Sequence, residues 1–177
     1  MRALLLLLLF TIGGLQAQEI NWMTMNEALA AQEKEPRKLL VDVYTKWCGP
    51  CKMMDRNTFS NKKVAEYVNA NYYAVKFDAE GTEEVLYGGE TYANPDYNPN
   101  RKGRNAPHQF SRALGVNAYP TIVYFREDGG LIQAVPGYRT PAQIEIYLKM
   151  IANDDYKTLT TMDAWEQYQK DFQGDFE

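Results

Sequence analysis

The sequence predicts an α/β fold in which a central mixed sheet is flanked by helices, and three observations carry that prediction. Residues 39–44, Leu-Leu-Val-Asp-Val-Tyr, form the short apolar, β-branched run of a buried strand and lead into Trp47-Cys48-Gly49-Pro50-Cys51-Lys52, the opening of a helix. A helical stretch over 60–70 followed by a strand over 72–78 completes strand, helix, strand at the spacing of a right-handed parallel crossover. Residues 119–125, the turn Glu127-Asp128-Gly129-Gly130 and residues 131–135 read as an antiparallel hairpin, which makes the sheet mixed. Length and composition fit one globular domain with additions: 177 residues are ample for a core, and 45% hydrophobic with 13% aromatic residues argues against disorder. A net charge of -4 gives no basic surface for nucleic acid, so no nucleic-acid partner is expected.

In chain order, residues 1–17 have the form of a secretory signal: Arg2 supplies the positive start, 3–12 the apolar region and Leu15-Gln16-Ala17 a small-residue cleavage site. The mature chain would begin near Gln18, with 18 basic residues left of 19 against 23 acidic, a charge of -5. The apolar run is about half of the roughly 20 residues a spanning helix needs, so no stable membrane insertion is expected after cleavage. The bacterial periplasm is the expected location; an extracellular protein, or one tethered by an uncleaved signal, is the alternative. The body of the fold is expected over 18–152.

Thr24-Met25-Asn26-Glu27 fits a capping box for a helix over 25–34 that ends before Pro36. Ser60 is the expected cap of the helix over 60–70. From 79 to 107 the pattern breaks into glycine, asparagine and proline turn signals interleaved with Tyr87, Tyr92 and Tyr97. This inserted segment follows the C-terminal end of a parallel strand, the sheet edge from which the cysteines emerge, and is expected to flank them and shape substrate access over 83–105. His108 opens a short helix over 109–114 and reads as a solvated or capping histidine. Thr140-Pro141 opens the final core helix, to 151, with proline at its first position. Residues 153–177 form an acidic addition with a helix over 162–172 that places Trp165, Tyr168 and Phe172 on one face for packing.

Cys48 and Cys51 are the only two cysteines, and they carry the chemistry. Cys48 falls at a helix N-terminus, where unpaired amides and the helix dipole favour thiolate over thiol, and the thiolate is the nucleophile. A purely structural disulfide would close too short a loop to remove much unfolded-state entropy. Zinc needs about four ligands, and one histidine beside two thiols does not supply them, so no metal is expected. Asp42 stands among Leu, Val and Tyr in its strand, where burying a carboxylate is costly without a reason; solvent exposure on an edge strand is the alternative.

The segment from Val41 to Lys52 resembles the active-site segment of thioredoxins, and the resemblance extends to Tyr119-Pro120-Thr121 and Gly137, covering most of 39–151 except the insertion. It implies a thioredoxin fold, a cis Pro120 facing the cysteines, and an Asp42 lying under Cys51 and assisting its proton transfer near Lys76. It also implies a shallow substrate groove bordered by Trp47, Gly49, Pro50, Tyr119, Pro120, Pro136 and Gly137. The activity expected is thiol–disulfide exchange, with Cys48 attacking first, no cofactor beyond the Cys48–Cys51 disulfide, protein disulfides as substrates and a membrane thiol donor as partner. Gly49-Pro50 between the cysteines resembles the reducing members of the family. The competing readings are an oxidase or isomerase on the same fold, and a binding module in which the thiols are incidental.

Overall fold

The computed structural model describes residues 19–177; the expected signal at 1–17 lies outside the described residues. A short strand, β1 (Trp22–Met23), precedes helix α1 (Met25–Lys34), strand β2 (Lys38–Tyr44), helix α2 (Gly49–Met54) and helix α3 (Lys62–Asn71). Strand β3 (Tyr72–Asp78) leads into the small strands β4 (Val85–Tyr87) and β5 (Glu90–Tyr92) and helix α4 (Gln109–Ala113). The chain then forms strands β6 (Thr121–Phe125) and β7 (Leu131–Pro136) and helices α5 (Pro141–Ala152) and α6 (Met162–Asp171). The main sheet has the order β1-β3-β2-β6-β7, parallel from β1 to β2 and antiparallel beyond.

Strand β2 is therefore central, with β3 on one side and β6 on the other, which removes the edge-strand alternative for Asp42. Its side chains alternate between two cores, as the period of a strand requires. Leu40 joins Ile122, Tyr124, Met54 and the apolar faces of α3 and α5. Leu39, Val41 and Val43 join Val75, Phe77, Val123, Phe125 and the buried residues of α1 and α4. Two of the expected helix caps are present as read: Thr24 with Glu27 on α1, and Thr140 with proline at the first position on α5, where Gln143 completes a second capping box.

Two expectations need correction, and two others gain detail. Asn61, not Ser60, caps α3: its carboxamide oxygen accepts from the amides of Lys63 and Val64, while Ser60 closes a π-helical turn, Asp55–Phe59, that continues α2. The stretch 79–107 is not only loop. It contains the β4–β5 hairpin, and its neck is closed by the Asn94 carboxamide donating to the Gly81 and Ala106 carbonyls at 3.0 and 2.8 Å. His108 caps α4, one of its two expected readings, and is fully buried: Nδ1 accepts from the Phe110 amide, Nε2 lies 2.7 Å from the Glu83 carbonyl, and burial lowers its pKa, which suits the neutral Nε2-protonated ring. Finally, the acidic end is anchored as well as helical. Glu145 of α5, wholly buried, accepts from the amides of Asp175 and Phe176 at 2.8–2.9 Å, and Phe176 enters the core beside Tyr67.

Candidate active site

The backbone at the C-terminal end of β2 sets up the site. After Tyr44 the chain turns through Thr45–Trp47, with the Cys48 amide donating to the Thr45 carbonyl, and Cys48 becomes the N-cap of α2 with Pro50 in the first turn. Cys48 and Cys51 are joined, their Cα atoms 5.3 Å apart. The Cys51 amide donates to Cys48 Sγ at 3.1 Å. An amide aimed at that sulfur favours its charged form on reduction, a distinction Cys51 does not share. Exposure does not separate the two: each is 2% accessible in the closed disulfide.

Beneath α2 lies the buried acid. Asp42 follows Leu40 by two along β2 and so shares the sheet face that α2 covers, while its register partner on β3 is Lys76. The Lys76 ammonium donates to Asp42 Oδ2 at 2.6 Å and also pairs with Asp55, on the turn that extends α2. Asp42 is 1% exposed, and its Oδ1 has no hydrogen-bond partner among the described residues. Desolvation pushes its pKa up to about 6, against the pull of the Lys76 charge. Burial works against the Lys76 charge in turn, but Asp42 and Asp55 outweigh it and raise that pKa. Such a carboxyl can hold or release a proton near neutral pH.

The opposite wall comes from the β6–β7 pair. The Tyr119–Pro120 bond is cis, as expected, and β6 begins directly after it, paired to the end of β2 by Val43 against Thr121. The Gly137 amide donates to the Pro120 carbonyl at 2.7 Å, with Gly137 at φ +92°, a conformation that favours glycine, so Pro136 and Gly137 end β7 beside Pro120. Tyr119 meets Trp47 edge to face, ring centroids 6.0 Å apart. Gly49 has open space where a Cβ would stand. The register of β2, β6 and β7 thus brings Trp47, Pro120, Pro136 and Gly137 to the same end of the sheet.

Sequence reasoning missed the residues that hold Trp47. Its indole N–H donates to Glu80 Oε2 at 2.9 Å, the same oxygen accepts from the Asn105 amide at 2.7 Å, and the Arg104 guanidinium lies over the indole, 4.2 Å from its centroid. Only the run Arg101-Lys102-Gly103-Arg104 hinted at this in the sequence. Of the three tyrosines expected near the cysteines, only Tyr97 lines the small cavity beside Trp47, about 160 Å³ in volume. Tyr87 and Tyr92 pack on Phe110 instead, and the Tyr87 hydroxyl reaches the Gly129 carbonyl at the far end of the sheet.

Fold and site together define a class: an α/β protein whose two-cysteine disulfide opens a helix at a sheet edge, the arrangement of a thiol–disulfide oxidoreductase. The chain belongs to the thioredoxin-like domain family, which it matches over residues 25–152. Among curated proteins it is similar to the thiol:disulfide interchange protein DsbD of Pectobacterium atrosepticum, 28% identical over 131 residues; these are 73% of this chain but only 18% of that protein. Among solved structures, a candidate disulphide-isomerase from Bacteroides thetaiotaomicron shares 28% identity at a TM-score of 0.52, covering 77% of this chain and 93% of the other. A thioredoxin-fold protein from Helicobacter pylori superposes at a TM-score of 0.60 over 89% and 91% of the two chains, at 16% identity, a likeness of fold alone.

Proposed function

We propose that this chain is an exported reductase of protein disulfides. The observation that carries the reading is the pairing of an amide-supported Cys48 sulfur with a buried, half-partnered Asp42 on the sheet face beneath α2. In the reduced protein, Cys48 thiolate attacks one sulfur of a substrate disulfide, forming a mixed disulfide and releasing the other sulfur as a thiolate. Cys51 then loses its proton to the Asp42 carboxylate and attacks Cys48 Sγ; the second substrate thiolate leaves and the Cys48–Cys51 disulfide remains. Two electrons pass to the substrate. A membrane thiol donor restores the dithiol, and the groove bordered by Trp47, Tyr119, Pro120, Pro136 and Gly137 holds substrate backbone beside the sulfurs.

Gly49-Pro50 supports the reducing direction by its resemblance to reducing thioredoxins. The similarity to a candidate disulphide-isomerase favours a second reading, in which the same attack shuffles bonds. Equilibration with glutathione buffers separates them: a potential in the reducing thioredoxin range supports the reductase, and one well above it supports the oxidase or isomerase. A Cys51→Ala variant expressed in the native host should accumulate mixed disulfides through Cys48, which identify the substrates. No trapped partner, together with full function of a Cys48→Ala/Cys51→Ala double variant in the host, would leave only a binding role. Export is supported by the form of residues 1–17 and is tested by fractionation with N-terminal sequencing. No helix among the described residues is long and apolar enough to cross a membrane.

A further inference from the structure

The insertion does more than approach the site; it changes the charge there. Arg101, Lys102 and Arg104 are all exposed, and among the described residues none of the three pairs with a carboxylate. The nearby acids are already engaged: Glu80 accepts from the Trp47 indole and the Asn105 amide, and Asp78 pairs with Lys46 at 3.3 Å and accepts from the Glu80 amide. Asp96 is exposed in this stretch without an ion pair, as are Glu84 and Glu90 earlier in the insertion. A chain of net charge -4 therefore presents Arg104 over the indole and Arg101 in the small cavity beside it, with Lys102 next to Arg101 in sequence, against the single charge that Glu80 places on the indole N–H of the tryptophan preceding the nucleophile.

Arg104 is the member best placed to use its charge. Its Cζ lies over the indole, 4.2 Å from the centroid, and its N–H groups donate to none of the described residues, which leaves them available for the bidentate geometry a carboxylate offers. Trp47 is 36% exposed and is fixed by Glu80 and Tyr119, so the stack is a defined feature and not a loose side chain. We propose that residues 97–105 make the active edge selective for protein disulfides flanked by acidic residues, with Arg104 the main contact and Arg101 and Lys102 adding steering. This rests on the reductase reading and names its substrate class.

The test uses single-turnover reduction by the prereduced full chain of two synthetic peptides with the same disulfide loop, one flanked by glutamates and one by lysines, with a small disulfide reagent as reference. At low ionic strength the glutamate peptide should react about tenfold faster. That ratio should fall toward one in about 0.5 M salt, which shortens the screening length to a few ångströms. It should also fall toward one in an Arg101→Gln/Lys102→Gln/Arg104→Gln variant, and part of the way in the Arg101→Gln/Lys102→Gln variant, which leaves the Trp47 stack in place. A ratio within about twofold of one in the unaltered chain, or a ratio that survives in the triple variant, overturns the proposal while leaving the reductase reading intact. If no disulfide is reduced, the small reagent included, both fall.

Discussion

Among the described residues two carboxylates are buried, Asp42 and Glu145, and they are treated in opposite ways. Glu145, in α5, has both oxygens occupied: the amides of Asp175 and Phe176 donate to it and Lys149 approaches to 2.6 Å. Asp42, in β2, has one oxygen on Lys76 and the other on nothing among the described residues. A satisfied buried charge fixes structure, whereas a half-satisfied one stores free energy that a proton can release. The first sits where a tail is fastened, the second on the sheet face beneath the redox helix. The contrast separates an acid that holds the fold from one suited to proton transfer.

The largest effect should come from breaking the satisfied acid. Glu145→Ala leaves the buried Phe176 amide and the part-buried Asp175 amide without an acceptor, strands Lys149 and detaches Phe176 from its place beside Tyr67, at a cost of about 3–5 kcal/mol. Urea unfolding should show this as a lowered midpoint with the redox potential unaltered. A loss below about 1 kcal/mol would mean the tail is only resting on α5, and the two acids would no longer be opposites in kind.

Asp42→Asn should do the reverse and raise stability. The folded protein holds the Asp42 proton more tightly than an unfolded chain, with a pKa of about 6 against 3.8, so it binds more protons than the unfolded state between those values. Stability attributable to this group is therefore unaffected below about pH 3.8 and is lost as pH rises through about 6. The shift corresponds to at most about 3 kcal/mol, and the asparagine variant should recover about 1–3 kcal/mol at pH 7.5 and almost none at pH 4. The same variant should slow resolution of the mixed disulfide about tenfold or more, with the rate losing its dependence on pH near 6. A variant destabilised at pH 7.5 would show that Lys76, stranded with Asp55 alone, matters more than the desolvated carboxylate.

The difference between the two acids also marks what could be read in advance. Asp42 was conspicuous because a carboxylate inside Leu-Leu-Val-Asp-Val-Tyr violates the strand's own pattern, and the site followed from the two cysteines, Tyr119-Pro120 and Gly137. Glu145 was invisible: it is one of a few polar residues in a mostly apolar helix, where a glutamate reads as part of the solvated face, and its partners are backbone amides 30 and 31 residues later, which carry no side-chain signal. The same reason hid β1, two residues long and defined only by pairing with β3, and the Glu80–Asn105 contact that holds Trp47. Local patterns were legible; long-range backbone contacts were not. The insertion lay between, since its position at the active edge followed from the strand it continues, but the packing of Tyr87 and Tyr92 on the distant core did not.

A smaller change sharpens the Glu145 side of the comparison. A Cβ at position 174 would stand 2.6 Å from Glu145 Oε2, closer than such contacts occur, so Gly174→Ala must displace either the tail or the carboxylate. Displacing it weakens the hydrogen bonds without removing the charge, at about 1–3 kcal/mol. Urea midpoints for this variant, for Glu145→Ala and for the double variant should be strongly non-additive, because both act on one clamp. Additive losses would separate the glycine's effect from the carboxylate.

The smallest expected effect tests whether charge is what sets the two acids apart. The Tyr87 hydroxyl donates to the Gly129 carbonyl at 2.9 Å, tying the inserted hairpin to the β6–β7 turn by a neutral, half-buried hydrogen bond over a sequence separation of 42. Its ring packs on Phe110 and Phe125 and would remain in a Tyr87→Phe variant. Removing only the hydroxyl frees a carbonyl that water at the turn can reach, so the loss should be about 0.5–1.5 kcal/mol, well below that for Glu145→Ala. Chemical denaturation measures it, and amide exchange over 85–92 should quicken before that of the main sheet. A loss as large as that of Glu145→Ala would mean that reach along the chain, not buried charge, sets the strength of these fastenings. The contrast between Asp42 and Glu145 would then have to be explained by position alone.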